Sequence, residues 1–133
     1  MASVIKEIVV AAPADAVWDA IRDVGAVHER LVPGLVTDVA LDADVRTVTF
    51  ADGTTLRERI VTVDDALRRL VYASIGGTSL HHNASMQVFA EPAGGSRIVW
   101  TTDILPDERA AFVRRMVDRA GPLIAATLGK GAA

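Results

Sequence analysis

Glu58 is the residue whose type and position most directly suggest chemistry. It lies in the segment Thr-Leu-Arg-Glu-Arg-Ile-Val, residues 55–61, where the alternation of a β-strand places its carboxylate on the same face as Leu56 and Ile60. A carboxyl group on an apolar face can donate or accept a proton near neutral pH, because burial raises its pKa and a nearby cation lowers it. We therefore expect this face to line a ligand pocket rather than a closed core.

The composition is that of a globular protein without cysteine chemistry. The chain has 133 residues, of which 50% are hydrophobic and 23% charged, with a net charge of -3 and no cysteine. This length favours one domain over residues 1–133, the weak charge argues against a nucleic-acid partner, and the three histidines without cysteine argue against a metal site. No apolar run reaches the ~18 residues of a membrane span, and no export signal is visible. We expect a cytoplasmic protein with no integral membrane segment.

The elements that would position Glu58 follow from the hydrophobic periodicity. Val4 to Ala11 is β-branched and partly alternating, which predicts a first strand, and the helical spacing that follows predicts an amphipathic helix over 13–24. Residues 26–34 allow one short second helix. From Leu35 onward the period changes to two, with turn residues at short intervals, which predicts an antiparallel meander of six strands. An Asp-Gly pair at 52–53 favours a type I′ turn within it.

A long amphipathic helix is predicted after Pro106, ending at Gly129. Gly121-Pro122 should kink it, because a proline inside a helix cannot donate its backbone hydrogen bond. A meander with one apolar face needs a cover, and only this helix is long enough, so the sheet should curve around it and leave a cavity. Its apolar stripe comprises Phe112, Met116, Val117, Ala120, Leu123, Ile124 and Leu128.

Three segments carry a resemblance to a known family: GAVHERLVPGL, VRTVTFADGTTLRERIVTVDDALRRLVY and RIVWTTDILP. With the order of elements, they resemble the START/Bet v 1-like (SRPBCC) superfamily and, within it, the polyketide cyclase/dehydrase-like proteins. The resemblance covers essentially the whole chain. It implies an α+β helix-grip fold: a seven-stranded curved antiparallel sheet wrapped around a long C-terminal helix, with two short helices after strand 1, enclosing a hydrophobic pocket.

The same motifs are similar to those of plant lachrymatory-factor synthases, and this resemblance implies four catalytic positions. It places the arginine of that family at Arg46, the glutamate at Glu58 and the first tyrosine at Tyr72. The second tyrosine falls on His82, where the sequence departs from the pattern, although a histidine can still donate or accept a proton. Strand alternation agrees, because each position shares a face with apolar residues. Its neighbour His81 should point the opposite way, which argues against a metal site formed by the pair.

The apolar residues expected to bind the ligand share a face with these polar groups or lie on the covering helix. They are Val48, Phe50, Ile60, Met86, Trp100, Phe112 and Met116. A buried Glu/Arg pair would be costly in a dry core, which favours a pocket that is wet or holds a polar ligand group. The alternative is an inward ion pair between Glu58 and Arg46 with structural value only.

The sequence therefore predicts a protein that binds a small hydrophobic or amphipathic molecule, as a monomer or a homodimer. Glu58 could move a proton on this ligand while Arg46 or Tyr72 stabilises charge on an oxygen, giving a cyclisation, dehydration or isomerisation without a cofactor. Two alternatives use the same fold. One is a non-enzymatic carrier or sensor with the same pocket, and the other is a protein-interaction module with an exposed apolar patch and a filled interior.

Overall fold

A curved antiparallel sheet forms one side of the fold. The computed structural model describes residues 2–77 and 79–130, and in these residues the sheet has seven strands in the order β1-β7-β6-β5-β4-β3-β2. Every neighbouring pair is antiparallel, and β2 to β7 follow chain order, so they form the predicted six-strand meander. The strands are β1 (Ala2–Val10), β2 (Val36–Asp42), β3 (Val45–Phe50), β4 (Thr55–Asp64), β5 (Arg69–Ile75), β6 (His81–Ala90) and β7 (Ser96–Leu105).

The helices follow the first and the last strand of the chain. Two short ones follow β1, namely α1 (Ala14–Arg22) and α2 (Val27–Arg30), and the long one, α3 (Ala110–Gly129), follows a single 3-10 turn at Asp107–Arg109. The helix-grip fold predicted from the sequence is confirmed. No helix in residues 2–77 and 79–130 combines the length and the apolar character that crossing a membrane requires.

The buried face of α3 differs in part from the predicted stripe. Val113, Val117, Ala120 and Ile124 are buried, a spacing of four, three and four residues that keeps them on one side of the helix. Phe112 is 46% exposed, so this member of the predicted apolar stripe lies outside the buried face. Because Phe112 and Val113 are both apolar and adjacent in sequence, only the packing decides which of them faces the sheet.

The middle of α3 lies close to β1 at Gly121. A Cβ on this residue would stand 2.9 Å from Lys6 Cε, so the absence of a side chain allows the close approach. Lys6 also forms an ion pair with Asp118 on the preceding turn of α3, with Nζ and Oδ1 3.0 Å apart. The helix continues through Pro122, and the kink expected there stays a prediction.

The β3–β4 hairpin uses a longer loop than the predicted type I′ turn. Phe50 donates its backbone N–H to the Thr54 carbonyl at 2.8 Å, which leaves three residues in the loop. Gly53 alone of the Asp-Gly pair has a positive φ, 90°, as three-residue hairpin loops require at their last position. The Asp52 carboxylate instead accepts hydrogen bonds from the backbone N–H and hydroxyl of Thr54, which stabilises this loop.

The hairpin between β6 and β7 provides a test of how β1 is packed. Gly94 and Gly95 both have positive φ, 89° and 79°, but only Gly95 faces β1, where a Cβ would lie 2.9 Å from the Val10 carbonyl oxygen. We predict that Gly95→Ala lowers the free energy of unfolding more than Gly94→Ala. Both changes add left-handed strain of about 1–2 kcal/mol, and only the first adds a clash with backbone. Urea denaturation of both variants measures the difference, and equal losses would contradict the prediction.

Candidate functional site

An internal cavity lies between the sheet, the α2 segment and α3. Its volume is about 80 Å³, smaller than the roughly 300–1,000 Å³ of sites for drug-sized ligands. The walls are apolar except for two charged side chains, Arg46 and Glu58, and the polar atoms of Tyr72 and Trp100. Five of the seven predicted apolar residues line it, namely Val48, Phe50, Met86, Trp100 and Met116.

Arg46 and Glu58 form a buried ion pair in this wall. The two residues face each other across β3 and β4, so the strand register itself brings their side chains together. Arg46 Nε donates to Glu58 Oε1 at 2.8 Å, and the residues are only 4% and 7% exposed. Arg46 Nη1 also donates to the carbonyl of Val24 at 3.2 Å. The guanidinium group thereby links the sheet to the loop that follows α1.

Tyr72 and Trp100 extend this polar cluster along the wall. Arg46 Cζ lies 4.8 Å from the centroid of the Tyr72 ring, a distance at which the cation is attracted to the ring face. Trp100 Nε1 donates to the Tyr72 hydroxyl oxygen at 3.0 Å. Because an indole N–H can only donate, this bond leaves the phenolic hydrogen of Tyr72 available to an acceptor on a ligand.

Burial has the largest effect on the pKa values of Glu58 and Tyr72. It raises the pKa of Glu58, and the charge and hydrogen bond of Arg46 oppose this effect without cancelling it. Burial also raises the pKa of Tyr72, helped by the charge of Glu58, so the phenol keeps its proton at neutral pH. The site therefore combines a carboxyl group of raised pKa, a neutral hydrogen-bond donor and a guanidinium cation, which is a set suited to moving a proton next to an oxygen.

Ser74 adds a polar group that is missing from the residues predicted from the sequence. It faces Glu58 across β4 and β5, and its hydroxyl is buried without a hydrogen-bond partner in residues 2–77 and 79–130. The alternation that places Tyr72 inward also places Ser74 inward, two residues further along β5. This residue could therefore have been found by extending the same face of the strand.

His82 lies apart from the other three predicted catalytic residues. It pairs with Ile104 near the start of β6 and lines a separate surface pocket together with Ser74 and Gly76, not the cavity. Its pKa is lowered by burial and by the nearby charges of Arg109 and His81. Strand alternation predicts the face of the sheet on which His82 lies, but not its distance from Glu58 along that face.

His81, the neighbour of His82, is exposed, because successive side chains of a strand point to opposite faces. The ring nitrogen Nε2 of His81 hydrogen-bonds Asn83 Oδ1. Asn83 in turn donates to Asp103, which also accepts a hydrogen bond from Ser3. Across residues 2–77 and 79–130, no three His, Asp or Glu side chains converge closely enough to hold a metal ion.

Two predicted ligand-binding residues do not reach the cavity. Ile60 is half-buried and packs against the core, next to an irregularity of the β4–β5 register between Ile60 and Thr62. Phe112 lies in a separate groove between α3 and the β3–β4 hairpin, and Arg109 Cζ is 4.6 Å from its ring centroid. Both residues are apolar, but they contact other parts of the protein and not the cavity.

The helix-grip fold and the internal cavity define a START/Bet v 1-like protein of the ligand-binding type. Within that class, the chain belongs to the family described as polyketide cyclase / dehydrase and lipid transport, whose profile matches residues 1–130. No curated protein matches the chain.

Solved structures of similar fold cover nearly the whole chain. The aromatase/cyclase Zhui from Streptomyces sp. R1128 is 20% identical, with a TM-score of 0.75 over 98% of this chain and 93% of that one. Truncated norcoclaurine synthase from Thalictrum flavum is 18% identical, with a TM-score of 0.75 over 97% and 91%. The protein XoxI from Bacillus cereus is 18% identical, with a TM-score of 0.82 over 98% and 95%. At these identities the likeness shows the fold.

The raised pKa of Glu58 predicts a specific dependence of stability on pH. The folded protein binds this proton more tightly than the unfolded chain, whose glutamate pKa is about 4.3. The resulting stabilisation is complete below that value and is lost as the pH rises through the folded-state pKa, by about 1.4 kcal/mol for each unit of difference. We predict that wild-type protein loses free energy of unfolding over this interval relative to Glu58→Gln, whose side chain stays neutral.

Urea denaturation of both proteins between about pH 4 and pH 8 measures this difference, and the subtraction cancels the other titrating groups. A difference that is constant with pH would show that the Glu58 pKa is unshifted. A wild-type protein that gains stability relative to the variant as the pH rises would show that Arg46 outweighs burial.

Proposed function

We propose that the protein binds a small amphipathic molecule whose apolar body occupies the cavity and whose oxygen-bearing end meets Arg46, Glu58 and Tyr72. The observation that carries this proposal is the buried Arg46–Glu58 pair, 2.8 Å between Nε and Oε1, in an otherwise apolar wall. A buried ion pair commonly stabilises a core less than apolar residues of the same volume would. Its position beside a cavity therefore favours a role in recognition.

The polar cluster favours a ligand that carries a carbonyl, hydroxyl or phenol group. The phenolic hydrogen of Tyr72 is free to donate because Trp100 donates to its oxygen. Glu58 uses Oε1 for Arg46, which leaves Oε2 to accept a hydrogen bond from a hydroxyl or, when protonated, to donate one to a carbonyl. Tyr72 and Glu58 can thus both hydrogen-bond to one polar group of the ligand.

The chemistry that follows is proton transfer next to an oxygen. Glu58 takes a proton from the carbon beside a carbonyl, while Tyr72 and Arg46 stabilise the negative charge on the carbonyl oxygen. Return of the same proton to another ligand atom completes an isomerisation, and its delivery to a departing hydroxyl completes a dehydration. Two proteins of the same fold are named as enzymes, an aromatase/cyclase and norcoclaurine synthase, so the fold is compatible with catalysis, and no cofactor enters these steps.

A carrier without catalysis is the second candidate. The family description includes lipid transport. A Glu58 carboxylate that stays paired with Arg46 can hydrogen-bond to a ligand without transferring a proton. The interaction-module alternative predicts a filled interior, and the cavity beside Glu58 counts against it.

Removing the ion pair as a unit tests the recognition role. We predict that the double variant Arg46→Met/Glu58→Leu folds with a free energy of unfolding equal to wild type or up to about 1–4 kcal/mol higher, because apolar side chains replace a buried pair of similar volume. Ligand retention should fall at least tenfold. Native mass spectrometry of the purified wild-type protein identifies co-purified molecules, and the same measurement on the double variant gives the loss. Undiminished retention would contradict the proposal.

The single variant Arg46→Met serves as the control for this experiment. It leaves Glu58 buried without its partner, so it should lose up to about 3–5 kcal/mol of stability. Comparison of the single and double variants thus separates loss of recognition from loss of folding.

Turnover of the identified ligand separates the enzyme from the carrier. If Glu58 transfers the proton, Glu58→Gln should lower turnover by about 10²–10⁴-fold while ligand affinity changes much less, because glutamine preserves shape and hydrogen bonding. Incubation of the ligand with each protein, followed by mass spectrometry or NMR of the products, measures this. Unaltered ligand after incubation with wild-type protein would favour the carrier.

A further inference from the structure

A second hollow lies between α3 and the β3–β4 hairpin, next to the cavity. It is an open groove of about 410 Å³, several times larger than the internal cavity of about 80 Å³. Its floor is apolar and is formed by Leu35, Phe50, Phe112 and Met116. The exposed ring of Phe112, which has no place in the cavity, is part of this floor.

One layer of side chains separates the groove from the cavity. Leu35, Phe50 and Met116 line both spaces, and all three are half-buried. Met116 is unbranched with three rotatable bonds, so it can change rotamer at low cost. Rotation of these side chains would make the two spaces continuous, and the apolar surface would then run from the groove to the polar cluster.

The rim of the groove carries a net positive charge. Arg115 and Arg119 lie one helical turn apart on α3 and line the groove, and both are exposed. Neither forms a hydrogen bond or an ion pair in the part of the chain that the structure describes. The opposing carboxylate is Asp52, which accepts two hydrogen bonds from Thr54 and interacts electrostatically with Arg119. Two guanidinium groups against one carboxylate favour an anion at this rim.

We propose that this groove binds the carboxylate end of an elongated amphipathic ligand, whose chain passes between Leu35, Phe50 and Met116 into the cavity. The inference rests on the proposed function, since the far end of the ligand occupies the polar cluster. A cavity of about 80 Å³ cannot hold a long molecule by itself, whereas the cavity and groove together can. Arginine side chains suit a carboxylate because their planar donor pair matches its two oxygens.

A matched pair of ligands tests the carboxylate, with ω-hydroxydodecanoate and dodecanediol as the probes. The two compounds share the chain and one hydroxyl end, and differ only in the second end. We expect wild-type protein to bind the acid at least tenfold more tightly than the diol by isothermal titration calorimetry. The variant Arg115→Ala/Arg119→Ala should bind the two compounds within about twofold of each other, and the preference of wild type should fall as salt is added.

The control is Arg57→Ala/Arg59→Ala, which removes two exposed arginines from the outer face of β4. It changes the net charge equally, so it should keep the preference for the acid. Equal binding of acid and diol by wild type would overturn the inference. If Arg46→Met/Glu58→Leu nevertheless failed to bind the diol, the proposed function would stand and only the inference about the groove would fall.

Three further outcomes bear on the inference. Binding of the acid that survives in Arg46→Met/Glu58→Leu but is lost in Arg115→Ala/Arg119→Ala would support the groove and contradict the proposed function. Binding of neither compound would overturn the inference, and ligand retention by wild type and by Arg46→Met/Glu58→Leu would then decide the proposed function. Co-sedimentation with phosphatidylglycerol vesicles that requires Arg115 and Arg119, with no preference for the acid in solution, would identify the rim as a membrane contact and also overturn the inference.

Discussion

The ion pair between Arg46 and Glu58 is the constraint on which the concave side of the protein depends. Its two residues lie opposite each other on β3 and β4, away from bulk water, so neither charge can be left without the other. Arg46 also reaches the Val24 carbonyl and the face of the Tyr72 ring. One guanidinium group therefore joins the sheet, the loop after α1 and the cavity wall, so loss of Arg46 alone would disturb both the polar site and the packing around it.

The polar groups and the apolar cover of the cavity differ in how firmly they are held. Arg46, Glu58 and Tyr72 project from neighbouring strands whose backbone hydrogen bonds set their spacing. Leu35 and Met116 instead come from a loop and from α3, outside the paired strands of the sheet. A ligand can thus displace the cover while the polar groups keep their arrangement, which is the property that both catalysis and selective carriage require.

Those features that depend on backbone periodicity could be predicted from the sequence, and those that depend on packing could not. Strand alternation places Glu58 and Tyr72 inward, because successive side chains of a strand must point to opposite faces. It cannot tell that His82 lines a separate surface pocket instead of the cavity. The sequence also could not tell whether Phe112 or Val113 packs against the sheet, because both are apolar and only contact with the sheet distinguishes them. Ser74 was accessible to the same parity argument, but its chemistry is apparent only from its burial beside Glu58.

In the proposed function, the opposing influences on the pKa of Glu58 would connect ligand binding to proton transfer. Burial raises its pKa while Arg46 lowers it, so the proton affinity of the carboxyl group depends on how fully Arg46 is engaged with it. A ligand oxygen that draws the guanidinium group toward itself weakens this opposition and makes Glu58 a stronger base at the moment the ligand arrives. A ligand that leaves the ion pair intact causes no such change and is simply held. The same pair of residues can therefore support catalysis or carriage, and the oxygen chemistry of the ligand decides between them.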